Sequence, residues 1–196
     1  MDENILRKLY ANDKLSVTEI AQKCGVSRHK VEYWLVKYSI PRRSISEAAY
    51  AKRNPEGDPF TFVSPRTSKE WYEYGLAIGL FWGEGNKANQ HSVRIGNTDP
   101  GIIKAFLTFL EKFYRVDRGK LKFSLQTFSD TDVENAEKYW ANALSVSRSQ
   151  FYKTTVTISG KVGTYRHKNT TGVLTLYFHN KKLRDILISA LDQMPR

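Results

Sequence analysis

Apolar positions recur at helical spacing through the first part of the chain. Ile5, Leu6 and Leu9 begin one helix, and Ser16 followed by Glu19 has the spacing of a capping box that opens a second, with Ile20 and Ala21 inward. Cys24-Gly25-Val26 then reads as a tight turn whose glycine supplies a left-handed residue. Ser27 caps a third helix in which Val31, Trp34 and Leu35 repeat at helical spacing. Helices joined by so short a turn define a three-helix helix-turn-helix domain. Pro41 ends the third helix, residues 44–53 read as one further short helix, and "RNPEGDPFTFVSP" is an irregular boundary. The pattern divides the chain into a domain at residues 1–44, a linker at 45–68 and a second domain at 69–196.

In the second domain helical and alternating segments interleave. "SVRIGNT" alternates with Val93 and Ile95 on one face, and "PGIIKAFLTFLEKFY" has apolar residues at Ile103, Phe106, Leu107, Leu110 and Phe113, an amphipathic helix with a proline at its start. "KLKFSLQTF" alternates cleanly, with Leu121, Phe123 and Leu125 to one side. "DVENAEKYWANAL" reads as a helix, "KTTVTI" and "VLTLYFHN" as strands, and "KKLRDILISALDQM" as a closing helix. These elements predict an α+β domain in which an antiparallel sheet is backed by helices on one face.

Charge changes the picture. The 196 residues carry 31 Lys and Arg against 20 Asp and Glu, a formal charge of +11, spread through segments that read as folded. Such an excess predicts a polyanionic partner, nucleic acid before a membrane surface, and the helix-turn-helix narrows it to double-stranded DNA. The third helix presents Arg28, His29, Lys30, Tyr33 and Lys37 outward, with Ser27 at the end that enters a major groove, and Arg42 with Arg43 extends beyond it as an arm for a minor groove. On the strands the outward residues are Arg94, then Lys120, Lys122, Ser124 and Gln126, then Lys153, Thr155 and Thr157, then Thr175, Tyr177 and His179. None is acidic, and cations, hydroxyls and an amide suit phosphate and base contacts. The single cysteine, Cys24, rules out an internal disulfide and fits a small buried side chain in a reducing compartment. The longest apolar run, Leu76 to Trp82, is too short to span a bilayer, so the expected location is cytoplasmic and DNA-associated.

One segment breaks the ordinary rules of helix composition. "EYGLAIGLFWGEG", residues 73–85, reads as an apolar helix yet places Gly75, Gly79 and Gly83 four apart. Each interior glycine costs about 1 kcal/mol relative to alanine. Glycines at i, i+4 and i+8 leave a groove without side chains along one face, against which a second helix packs backbone to backbone. One such helix per chain predicts a homodimer.

The stretch "AIGLFWGEG", Ala77 to Gly85, resembles the motif of LAGLIDADG homing endonucleases, in which two such helices pack across a twofold or pseudo-twofold interface. The likeness extends over roughly residues 70 to 194. It implies a site-specific, divalent-metal-dependent DNA endonuclease acting as a homodimer, with Glu84 as the ligand of Mg²⁺ or Mn²⁺, Asn97 helping to position the attacking water and Lys181 as the active-site lysine. A carboxylate at a helix C-terminus faces the negative end of the macrodipole, which a cation relieves. Trp82 stands where the family has its first acidic residue. Two further features depart from the family pattern: "NKANQHS" leaves little room for a strand directly after the motif, and a helix separates the third strand from the last two. Some relatives with an attached helix-turn-helix are transcription regulators that no longer cleave, which is the alternative reading.

Overall fold

A computed structural model describes residues 1–158 and 170–193 and divides the chain into two compact units, Met1–Pro59 and Phe60–Arg196. In the first, α1 (Glu3–Arg7) is capped by the Asp2 carboxylate and runs into a wider π turn at Lys8–Asn12. The capping box opens α2 (Val17–Lys23) as its spacing requires: Glu19 N–H donates to Ser16 Oγ at 3.2 Å and Ser16 N–H to Glu19 Oε2 at 2.7 Å. Gly25, at φ +64°, turns the chain. Ser27 Oγ then accepts from Lys30 N–H to start α3 (Arg28–Lys37). Leu6, Leu9, Ile20, Val31, Leu35 and Ile40 close a small core beneath these helices, while Cys24 packs against it only half-buried. A fourth helix, α4 (Ile45–Arg53), opens with its own capping box at Ser44 and Glu47 and buries no residue.

The division falls between Pro59 and Phe60, inside the stretch that reads as a linker, and the chain from Phe60 onward already belongs to the second unit. Thr61 N–H donates to Tyr114 O at 2.8 Å and Val63 N–H to Phe113 O at 2.7 Å, while the Phe60 and Phe62 rings lie against Tyr114. Thr67 then caps α5 (Ser68–Glu84), which begins six residues before the Tyr74 start of its apolar run.

The second unit continues through β1 (Val93–Asn97), α6 (Pro100–Tyr114), β2 (Lys122–Phe128), α7 (Val133–Leu144), β3 (Thr155–Thr157), β4 (Val173–Phe178) and α8 (Lys181–Asp192). It is α+β. The sequence pattern extends the last helix to Met194, which lies outside the described residues. The strand order is β1-β4-β2-β3, and the expected all-antiparallel sheet is corrected to a mixed one, because β3 runs parallel to β2 while β4 is antiparallel to both β1 and β2. The reason is α7: a chain that leaves a strand through a helix returns in the same direction, whereas a tight hairpin would reverse it.

Burial shows which face is which. Val93, Ile95, Phe123, Leu125, Leu174, Leu176 and Phe178 are buried against Ala77, Ile78 and Phe81 of α5, the inner side of α6, Trp140 of α7 and Leu183 and Leu187 of α8. Their alternate neighbours are half-buried or exposed and form the other, open face, over which no described helix of this unit packs. Truncating Phe81 would leave a large void between α5 and α6, since its ring is fully buried and stacks on Phe106 at 5.8 Å.

Candidate nucleic-acid interface

On the first unit, α3 exposes Arg28, His29, Lys30, Tyr33 and Lys37, as its spacing predicts. These cations are not bare. Glu32, on the same helix, receives Arg28 Nε at 3.1 Å, His29 Nδ1 at 3.5 Å and Arg42 Nη2 at 3.3 Å. Lys30 lies over the Trp34 ring and Lys37 over Tyr38. Arg42 is thus held against the helix by the same glutamate as Arg28.

Arg43 is used differently from the expected groove-seeking arm. Its guanidinium lies 4.3 Å from the centroid of the Tyr10 ring and donates to the carbonyls of Lys14 and Leu15, while its backbone N–H donates to the Tyr10 hydroxyl at 2.9 Å. These contacts tie the chain after α3 back to the first helical segment, a role in holding the unit together.

On the second unit the strand register sets the open face row by row. Arg94, Tyr177 and Lys122 form one cross-strand row, and Gly96, Thr175 and Ser124 the next. Gln126 and Thr155 then pair, followed by Phe128 and Thr157. Two residues expected on this face fall elsewhere. Lys120 belongs to a 3₁₀ turn, Arg118–Lys120, ahead of β2. Lys153 sits where one strand gains a residue on the other: Phe151 bridges Phe123, but Thr155 pairs with Gln126, so the segment between them has one residue more than β2. This bulge resets the alternation, and Tyr152 takes the outward place that a strict period of two assigns to Lys153. Behind it, Thr154 Oγ1 donates to Glu137 Oε1 at 2.6 Å.

The glycine helix presents its stripe to the outside. A methyl group placed on Gly75, Gly79 or Gly83 would meet no atom within 4 Å, and Trp71, Tyr72, Leu76 and Trp82 are all about half exposed or more on the same helix. Among the described residues nothing uses the absence of those side chains. Gly85 is the opposite case, since a Cβ there would lie 2.3 Å from Phe81 O. That close approach lets the backbone leave α5 sharply and form a bridge from Gly85 to Ile95, with Asn86 N–H donating to Arg94 O at 2.9 Å. The bridge is all that stands where a full strand would follow the helix, and it brings Glu84, one residue earlier, beside β1.

Glu84 is exposed and makes no hydrogen bond or ion pair among the described residues. The cation that the helix C-terminus calls for is present in the chain: Lys87 Nζ donates to Trp82 O. Arg184 of α8 holds the same loop, donating to Lys87 O at 2.6 Å and to Asn89 O at 2.8 Å. Neither residue is marked by its local sequence pattern. The other two residues assigned catalytic roles are engaged locally: Asn97 Oδ1 accepts from Asp99 N–H at 2.9 Å to turn the chain into α6, and Lys181 pairs with Asp185 one helical turn on. Among the described residues no three His, Cys, Asp or Glu side chains converge as one chain's metal site would require. No described helix is long and apolar enough to cross a membrane.

Compared with family models, curated proteins and solved structures, the chain matches none.

Proposed function

We propose that this protein binds double-stranded DNA as a homodimer and cleaves it, a single-motif LAGLIDADG-type endonuclease carrying a helix-turn-helix at residues 1–44. The observation that carries the reading is the unused glycine stripe of α5, ending in an unpaired Glu84 beside a sheet whose open face has cations, hydroxyls and an amide but no carboxylate. A second copy of the same helix is the occupant that such a stripe fits, because two bare faces allow backbones to approach where ordinary side chains would hold them apart. Two copies of Glu84 then meet near one axis.

Glu84 suits a divalent cation chemically but supplies only half of a site. One exposed carboxylate per chain offers too few oxygens, so the ion requires the second copy's Glu84 and oxygens of the DNA itself. A bound Mg²⁺ or Mn²⁺ would supply charge stabilisation at the scissile phosphate and a more acidic water. The chain's own contribution is to set Glu84 at a fixed height beside β1, through the Gly85 bridge and the clasp of Arg184 on the following loop. Arg94, Lys122, Ser124, Gln126, Thr155 and Tyr177 of the sheet contact the DNA, as do Ser27, Arg28, His29, Lys30, Tyr33, Lys37 and Arg42 of the first unit.

A second reading, a regulator that binds the same DNA without cutting it, is favoured by Asn97 and Lys181 being held in local contacts. One experiment separates them. Glu84→Gln keeps the size of the side chain and removes the charge, so binding in Ca²⁺ should survive or tighten while cleavage in Mg²⁺ is lost. A wild type that binds but cuts nothing in a randomised DNA pool with Mg²⁺ or Mn²⁺ establishes the regulator. A Gln variant that cuts as well as wild type removes Glu84 from the site.

A further inference from the structure

The open face of the sheet holds one cluster with an unusual balance of charge. Tyr177 of β4 is flanked across the strands by Arg94 of β1 and Lys122 of β2. The Arg94 guanidinium lies 4.9 Å from the Tyr177 ring centroid, steered by its Nε donating to Ser92 Oγ at 2.8 Å. His179, just past the end of β4, stacks on Tyr177 with ring centroids 5.8 Å apart. The Tyr152 hydroxyl, brought outward by the bulge, lies 2.7 Å from His179 Nε2.

Two fixed cations and a titratable imidazole therefore share one patch, and neither Arg94 nor Lys122 has a carboxylate partner among the described residues. Three other cations of the unit do have carboxylate partners: Lys112 with Glu73, Arg118 with Glu111 and Arg148 with Glu137. Burial, then the positive fields of Arg94 and Lys122, hold His179 below the ordinary histidine range, so the free protein keeps a proton off the ring. The charged and titratable groups that face it are Arg94 from β1, Lys122 from β2, Tyr152 from the segment ahead of β3 and Tyr177 from its own strand; Lys181, at the start of α8, is paired with Asp185.

We propose that Arg94, Lys122, Tyr152 and His179 form a phosphate-binding station on the sheet, in which His179 takes up a proton when a DNA backbone phosphate docks. The proposal rests on the DNA-binding reading above and assigns it a particular contact and a pH dependence. A phosphate set between the two cations offsets their share of what keeps the imidazole neutral and adds a negative charge that favours the protonated form. Tyr152 responds in step. Beside an unprotonated Nε2 the hydroxyl donates to the ring; once Nε2 carries a proton, Nε2–H donates to the hydroxyl oxygen, and the hydroxyl hydrogen is released to a phosphate oxygen. Proton uptake on binding means that affinity rises as pH falls, and it does so only between the pKa of His179 in the free protein and its higher value in the complex.

The test uses the full chain and a duplex of random sequence, with affinity read by fluorescence anisotropy at constant ionic strength from about pH 8 to about pH 5.5. Wild type should gain affinity by up to about tenfold per pH unit within the window where one proton is taken up. H179Q should still bind but lose that slope, whereas H91Q, which removes the exposed histidine ahead of β1, should retain it. Nuclear magnetic resonance of the His179 imidazole in the wild type should show its titration moving to higher pH when the duplex is added. An unchanged slope in H179Q, or a His179 titration that the duplex does not raise, overturns the phosphate station while leaving DNA binding intact. Absence of DNA binding by the wild type at every pH refutes the DNA reading itself, and this contact with it.

Discussion

Replacing Gly75, Gly79 and Gly83 together by alanine should move monomer stability and dimer stability in opposite directions. Each added methyl points into open space in the single chain, with no atom within 4 Å, so no steric penalty opposes the gain in helix propensity. Alanine is favoured over glycine inside a helix by about 0.5–1 kcal/mol. Gly83, next to the last residue of α5, contributes least of the three. The lone chain should therefore be stabilised by roughly 2 kcal/mol, visible as a higher denaturation midpoint at concentrations too low for association. In a homodimer the same methyls face their copies across the seam. Helices with ordinary side chains pack with axes about 8–10 Å apart, and a glycine seam is the arrangement that allows a closer approach. Overfilling it should weaken association by about 1–3 kcal/mol, roughly five- to 150-fold in Kd. Sedimentation velocity over a concentration series reads the second effect and equilibrium denaturation the first. A triple variant that dimerises as tightly as wild type, or a wild type that stays monomeric with and without DNA, refutes the argument that the stripe exists for a second copy.

Charges elsewhere in the molecule give two more measurable outcomes. Glu32→Gln should strengthen duplex binding by roughly three- to tenfold at low salt, because it removes a negative charge from the α3 face and frees Arg28, His29 and Arg42 from a competitor of the DNA phosphates; unchanged or weaker binding in a salt titration would show that α3 does not face DNA. Glu137 accepts from Thr154 Oγ1 and pairs with Arg148, which together hold its carboxyl below the usual range. A carboxylate depressed in the folded state contributes stability that is fully present above its ordinary pKa of about 4.3 and lost as pH falls below it. Thermal unfolding scanned from about pH 6 to about pH 3 should show E137Q with a shallower acid limb than wild type; parallel limbs would remove Glu137 from the cause.

The features legible in the sequence are those that local pattern controls. Residues 100–114 read as one amphipathic helix and form α6 with seven of their side chains buried, because a single apolar face with a proline at N1 has no competing solution. The capping box at Ser16 and the cap at Ser27 form as their spacing requires. Where local pattern misleads, the deciding contact is distant in the chain. Arg43 looks like an arm until Tyr10 is seen beneath it, and Phe60 looks like linker until the end of α6 is seen against it. Lys153, itself exposed, reads as a residue of the open face until the bulge moves Tyr152 into that place. A period of two is reliable only within an unbroken ladder, and the extra residue that resets it has no signature of its own. The glycines of α5 are the reverse case. They are conspicuous from composition alone, yet the fold of one chain gives them nothing to do: they weaken a helix whose exposed face would accept alanine at each position. A feature that opposes the stability of the chain containing it, and that no contact among the described residues explains, points to a constraint imposed from outside. A second copy of the same helix meets that constraint with no further assumption, because it carries a matching stripe of the same length and spacing.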